Sequence, residues 1–173
     1  MPNFFEADMV FFRIKKIKGK EYAYLVENEW KKKSSRQKVK NYLGRIYRVD
    51  LKESADFLQF IKVEGFEKYV NENDIKKIIK DLIEWELFRF GVDRNIFLID
   101  LNNKKVQKSK KNAVLLINDG FMCGLTLRNL LEFKTEDQER DGFRLARAFV
   151  EAGIKVPQEV FIGLFGKLYK QTT

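Results

Sequence analysis

Apolar and charged residues alternate with period two as far as Asp50 and with a period near 3.6 beyond it, so the chain commits to a sheet first and to helices afterwards. Three segments carry the strand pattern: Val10 to Ile17, Glu21 to Glu29 and Arg36 to Leu43. Lys18-Gly19-Lys20 makes a tight connection between the first two, and Trp30 to Ser35 a longer basic loop before the third. The expectation is a three-stranded antiparallel meander that Gly44 ends.

Successive side chains of a strand point to opposite faces. In the third strand Arg36, Lys38, Lys40 and Tyr42 therefore fall on one side, and Gln37, Val39, Asn41 and Leu43 on the other. In the first, Val10, Phe12 and Ile14 are expected to pack inward, leaving Phe11, Arg13 and Lys15 outward. The second strand is ambiguous, because Tyr22, Tyr24 and Val26 oppose the equally apolar Ala23 and Leu25.

The same segment holds the charge. Between Asp8 and Arg48 there are 13 Lys and Arg against 4 Asp and Glu, a surplus that equals the +9 of the whole chain. The remaining residues carry 21 basic and 21 acidic groups. A basic surplus confined to one short segment is the electrostatic footprint of a polyanion-binding surface. Its cations are interleaved with the rings of Phe11 and Tyr42, which can stack bases while Arg13, Lys15, Arg36, Lys38 and Lys40 neutralise phosphates. The competing reading is a solvated sheet face that keeps strand edges from aggregating.

Beyond Asp50, Glu53 to Val63 and Phe66 to Val70 read as a helix broken around Gly65. Asn73 is placed as the N-cap of a stronger helix, Asp74 to Phe90, with Ile75, Ile78, Ile79, Leu82 and Trp85 as its buried stripe and Gly91 as its left-handed stop. A short hairpin is expected near 95–108. Ala113 to Ile117 is an apolar run too short to assign by period, ending at the turn signal Asn118-Asp119-Gly120. Thr126 is placed as the cap of a helix over Leu127 to Phe133, Thr135 as the start of one reaching Ala152, and Pro157 at the first position of the last. Phe143, Ala146, Phe149 and Val150 are expected to pack against Val160, Phe161, Leu164 and Leu168. The expected architecture is α+β: a small basic antiparallel sheet over 1–49 and a mostly helical body over 50–173.

Composition removes whole mechanisms. The 173 residues include no His and a single Cys, Cys123, so no Ser-His-Asp or Cys-His pair, no imidazole acid-base group, no His- or Cys-type zinc site and no internal disulfide can form. A metal would need carboxylates alone. Asp100, Asp119 and Glu132 are the candidates, but nothing in their spacing brings them together, and Asp119 before Gly120 reads more simply as a turn residue. No catalytic residue, metal or cofactor is expected. No apolar run approaches the roughly twenty residues of a spanning helix, and no signal-peptide pattern is present, so a cytoplasmic protein without membrane contact is expected.

Tyr22, Tyr24, Leu25, Val26 and Glu27, followed by Arg36, Gln37, Tyr42, Leu43 and Gly44, carry a resemblance. The segment Val10 to Tyr47 resembles the amino-terminal β-segment found ahead of some bacterial and archaeal insertion-sequence transposases of the DDE class. The resemblance implies a nucleic-acid-facing accessory module and tilts the expectation toward DNA over RNA. It transfers no catalytic residue, since the helical remainder leaves no room for a ribonuclease-H-like catalytic domain. Three functional readings follow: a non-enzymatic nucleic-acid-binding protein, a protein-interaction subunit of a larger complex acting through the helical body, and a carboxylate-metal nuclease.

Overall fold

The computed structural model describes residues 10–170; residues 1–9 of the expected N-terminal module, Met9 included, lie outside them. Strands β1 (Val10–Ile17), β2 (Lys20–Lys31) and β3 (Ser34–Arg48) form the antiparallel meander. The β1–β2 turn places Lys18 and Gly19 at φ 50° and 77°, the mirror-image turn whose twist matches that of the flanking strands.

Two expectations about the meander are corrected. Trp30 to Ser35 is not a loop, because β2 runs on to Lys31 and β3 begins at Ser34, leaving Lys32 and Lys33 to turn. Extending the ladder pairs backbone groups that a loop would leave to water. Nor does Gly44 end the third strand. The strand continues to Arg48 and pairs there in parallel with β6 (Lys111–Ile117), from Arg45 opposite Ala113 to Arg48 opposite Leu116. Gly44 has φ +136°, and a Cβ on it would stand 2.6 Å from the Asn112 carbonyl oxygen. The glycine read as a stop is what lets the β6 backbone approach.

The meander is thus the leading part of a larger sheet in the order β1-β2-β3-β6-β5-β4, with β7 (Gly120–Met122) also paired to β6. β4 (Phe97–Asp100) and β5 (Lys105–Lys108) form the short hairpin where the sequence places it. The ambiguous run Ala113 to Ile117 is the strand β6, buried on both faces. Ala113, Leu115 and Ile117 belong to the large core, while Val114 lies in a smaller core with Ala23, Leu43, Ile46 and Cys123. Burial on both sides explains why its apolar run shows no alternation. Over the smaller core Phe12 stacks on Phe121 at 5.0 Å, as its inward assignment requires, whereas Ile14 stays exposed where that cover ends.

Six helices among the described residues complete the α+β fold: α1 (Phe57–Ile61), α2 (Phe66–Glu72), α3 (Ile75–Arg89), α4 (Gly124–Leu131), α5 (Gln138–Glu151) and α6 (Gln158–Lys170). None is long and apolar enough to cross a membrane. α3 buries Ile78, Ile79, Leu82 and Trp85 in the large core, each buried Ile or Leu worth about 1.5–3 kcal/mol, and Gly91 follows it at φ +57°.

The helix starts differ from expectation by short, explicable shifts. Asp74 rather than Asn73 caps α3, its carboxylate accepting from the Lys77 N–H at 2.7 Å. Thr126 lies inside α4, which begins at Gly124 after Cys123. From there its hydroxyl accepts from the Cys123 N–H at 3.0 Å and donates to the Phe121 carbonyl at 2.6 Å. Asp137 caps α5 in place of Thr135, its carboxylate accepting from the Glu139 N–H at 3.1 Å, while the buried Asp141 carboxylate takes the Glu136 N–H at 2.9 Å. Phe143 and Val150 are 74% and 67% exposed and leave the expected helix-pair core. The buried line of α5 runs through Asp141, Leu145, Ala148 and Phe149, and residues 143 and 150 fall on the opposite side of a 3.6-residue turn.

Candidate nucleic-acid interface

Residues directly opposite in an antiparallel pair share a face, so the register sorts the meander's side chains. Phe11, Arg13 and Lys15 of β1 stand opposite Val26, Tyr24 and Tyr22 of β2. Tyr22 and Tyr24 in turn stand opposite Arg45 and Tyr42 of β3. The other face receives Phe12 and Ile14, paired with Leu25 and Ala23, together with all three acids of β2: Glu21, Glu27 and Glu29.

The β2–β3 ladder is irregular at two places, and this overturns the simple pleat reading of β3. Partners jump from Gly44 to Tyr42 and from Asn41 to Val39, leaving Leu43 and Lys40 as extra residues, each a β-bulge that flips the parity beyond it. Tyr42 keeps the outward face with Arg13 and Lys15, but Lys38 and Arg36 are carried to the opposite one, across from Glu27 and Glu29. Lys40 joins them there, its ammonium 3.6 Å from Glu27, while Lys38 lies 3.6 Å from Glu29 and Arg48 3.0 Å from Glu21. The expected set of seven is therefore split: Phe11, Arg13, Lys15 and Tyr42 share one face, and Arg36, Lys38 and Lys40 the other.

The face that keeps Tyr42 is built as a row of rings and cations. The Lys15 ammonium lies over the Tyr24 ring at 4.8 Å, and Tyr24 meets Tyr42 at 5.3 Å between centroids. Tyr22 approaches the same Tyr42 at 6.4 Å. Next along β3, the Arg45 guanidinium covers the Tyr47 ring at 5.1 Å, and Lys108 of β5 reaches that ring at 4.6 Å. Tyr47 packs on Phe97 at 5.3 Å, where the row meets the helical body's core. Arg13 donates to the neutral Gln37 side-chain oxygen.

The two faces therefore differ in what their cations touch. On one, Lys38, Lys40 and Arg48 have carboxylate partners; on the other, Arg13, Lys15, Arg45 and Lys108 touch aromatic rings or an amide, which hold a cation in place without cancelling its charge. Burial, followed by the neighbouring phenols of Tyr24, Tyr22 and Tyr47, pushes the Tyr42 hydroxyl above its ordinary value and keeps it a neutral donor. Tyr42 is 47% exposed, enough ring surface to receive a base.

Sequence reasoning missed Arg45, Tyr47 and Lys108, and left Tyr22 and Tyr24 open. Arg45 and Tyr47 lie past the glycine read as a stop, and Lys108 enters from a hairpin far along the chain. A glycine inside a strand pattern is itself a bulge signal, and would have carried the third strand onward.

The three candidate carboxylates form no common cluster among the described residues. Asp100 accepts from the Asn103 N–H at 3.0 Å and from its amide at 2.7 Å, closing the β4–β5 turn, and these bonds hold its carboxyl below the usual range. Asp119 turns the chain between β6 and β7 at φ +60°, and Glu132 lies 3.2 Å from the Lys104 ammonium. Among the described residues no three His, Cys, Asp or Glu side chains are grouped as metal ligands would be. Cys123 is buried in the smaller core, and burial raises its thiol. A scan of protein-family models, a search of curated proteins and a search of solved structures each find no match to the chain.

Proposed function

We propose that the protein is a non-enzymatic, cytoplasmic nucleic-acid-binding protein whose working surface is the tyrosine-bearing face of the meander. The single observation that carries this reading is the separation of charge by face. Cations with carboxylate partners lie on one side, and cations held by rings lie on the other beside Tyr42. Phosphates take the place of the missing carboxylates, and the exposed phenol ring stacks on a base. Phosphate contacts position a ligand without reading its sequence, so selectivity is weak. DNA is favoured over RNA by the transposase-like segment.

The test is binding of the full chain to labelled double-stranded DNA, single-stranded DNA and RNA over a salt series, beside a Lys15→Glu, Arg45→Glu variant. Log affinity should fall linearly with log salt, by about 0.9 per phosphate contacted on B-DNA, and the variant should lose at least about tenfold. No binding at low salt, or binding indifferent to the variant, overturns the reading.

A second reading, a subunit docking through its helical body, is favoured by Phe143 and Val150. They are seven residues apart on α5, hence stacked on one exposed stripe. Charge reversal on the meander would leave a body-mediated complex intact.

A further inference from the structure

We infer that the distal β2–β3 ribbon is an arm that enters a groove of duplex DNA, with Trp30 at its tip as a wedge between base pairs. The inference rests on the nucleic-acid reading and extends it to residues outside the tyrosine row.

Among the described residues β1 accompanies β2 only as far as Glu27. From Asn28 to Lys31 the partner of β2 among the described residues is β3, Gln37 to Ser34, and Lys32 and Lys33 turn this ribbon. Trp30 stands opposite Ser35, whose small side chain cannot cover it, and is 71% exposed. The chain's second tryptophan, Trp85, is buried, with its indole N–H donating to the Ala55 carbonyl at 2.9 Å. By register Trp30 shares the face of Val26, Tyr24 and Tyr22. The tip therefore lies on the side of the sheet that holds the tyrosine row, beyond the buried Val26.

Charge complementarity names the occupant. From Trp30 to Gln37 the chain holds four Lys and Arg and no Asp or Glu, and Glu29 opposite Arg36 is the one acid of the ribbon. Lys31, Lys32, Lys33 and Arg36 are exposed around the ring. A ribbon of two strands about 5 Å apart is narrow enough for the major groove of B-DNA, which admits such an element. Lys31, Lys32, Lys33 and Arg36 at the end then reach the phosphates of the groove walls. Single strands are instead bound in a groove of the protein that tracks their backbone, which a protruding tip does not provide. The deep, narrow major groove of an A-form RNA duplex excludes the arm. Proteins bound in the minor groove insert apolar wedges that unstack a base step, and the arm presents the exposed Trp30 ring to do the same from the groove it enters.

The experiment compares wild type, Trp30→Ala and Trp30→Phe, all as full chains, on a mixed-sequence DNA duplex end-labelled with a fluorescent donor–acceptor pair, on its single strand and on an RNA duplex of the same sequence. The difference in tryptophan emission between wild type and Trp30→Ala isolates Trp30 without disturbing Trp85. The expected result is quenching of Trp30 by the DNA duplex, a shortened end-to-end distance, and about tenfold weaker duplex binding in Trp30→Ala that Trp30→Phe largely restores. Unchanged Trp30 emission at saturation, or equal duplex affinity for wild type and Trp30→Ala, overturns the arm. So does a loss on Trp30→Ala that is larger for the single strand or the RNA. If duplex binding is lost in Lys15→Glu, Arg45→Glu yet indifferent to Trp30→Ala, the face reading stands and the arm falls; if wild type binds no nucleic acid, both fall.

Discussion

Glu86 is fully buried, yet each of its carboxylate oxygens has partners from distant parts of the chain. It accepts from Arg89 at 3.0 Å, from the Asn118 amide at 2.9 Å and from the Lys155 N–H at 3.2 Å. One side chain thereby ties α3 to the β6–β7 turn and to the segment before α6. Burial raises its pKa from the ordinary 4.5, and the pull of Arg89 and the hydrogen bonds offsets this only in part. A carboxyl raised in the folded state contributes stability that is complete below the unfolded value and is lost as pH rises through the folded one. The stability of wild type relative to Glu86→Gln should therefore be greatest in acid and decline as pH rises from below 4.5, measured by urea unfolding across pH. Glu86→Ala should cost about 3–5 kcal/mol in the same assay, since it leaves the Arg89 charge half-enclosed without a counterion. Asp141 acts with the opposite sign. Burial pushes it up, but bonds from Tyr169, the Glu136 N–H and Arg144 outweigh this and hold it below 3.8, so its contribution is lost as pH falls.

Among the elements, β3 does the most with the least warning in its sequence. Its two extra residues, Leu43 and Lys40, are accommodated without breaking the strand, and its Gly44 is wedged against the Asn112 backbone. Gly44→Ala should destabilise by at least about 2 kcal/mol, because the new methyl meets backbone atoms and the φ of +136° is one that only glycine adopts readily; thermal unfolding reads it directly. What was legible here followed periodicity. β1, the 95–108 hairpin and the stripe of α3 are local patterns, and the sequence states them within a residue or two. The bulges answer to tertiary demands: Leu43 and Ile46, three residues apart, both reach the smaller core, and no two-residue period holds both. Three of the seven expected site residues were lost through that one parity error. Phe143 and Val150 were misplaced for a related reason, since apolar character alone does not say which side of α5 meets the core.

For the whole molecule, the sorting of cations by face makes a sharper claim than net charge does. The slope of log affinity against log salt counts phosphates engaged, whereas the affinity itself also feels distant charge. Neutralising Lys15 and Arg45 with Gln should lower the magnitude of that slope by nearly two on duplex DNA, while Lys38→Gln, Lys40→Gln should leave it nearly unchanged and alter affinity only modestly. Equal slope changes for the two variants would mean that both faces meet phosphate. The parallel pairing of β3 with β6 carries a consequence in time. The meander closes through neighbouring segments, on the microsecond scale of hairpins, but its seam with β6 must wait for α1, α2, α3 and the β4–β5 hairpin to be brought into place. During synthesis the basic ribbon therefore leaves the ribosome, itself a polyanion, well before the partner strand that anchors it. The meander is made as a charged hairpin before the strand that anchors it exists.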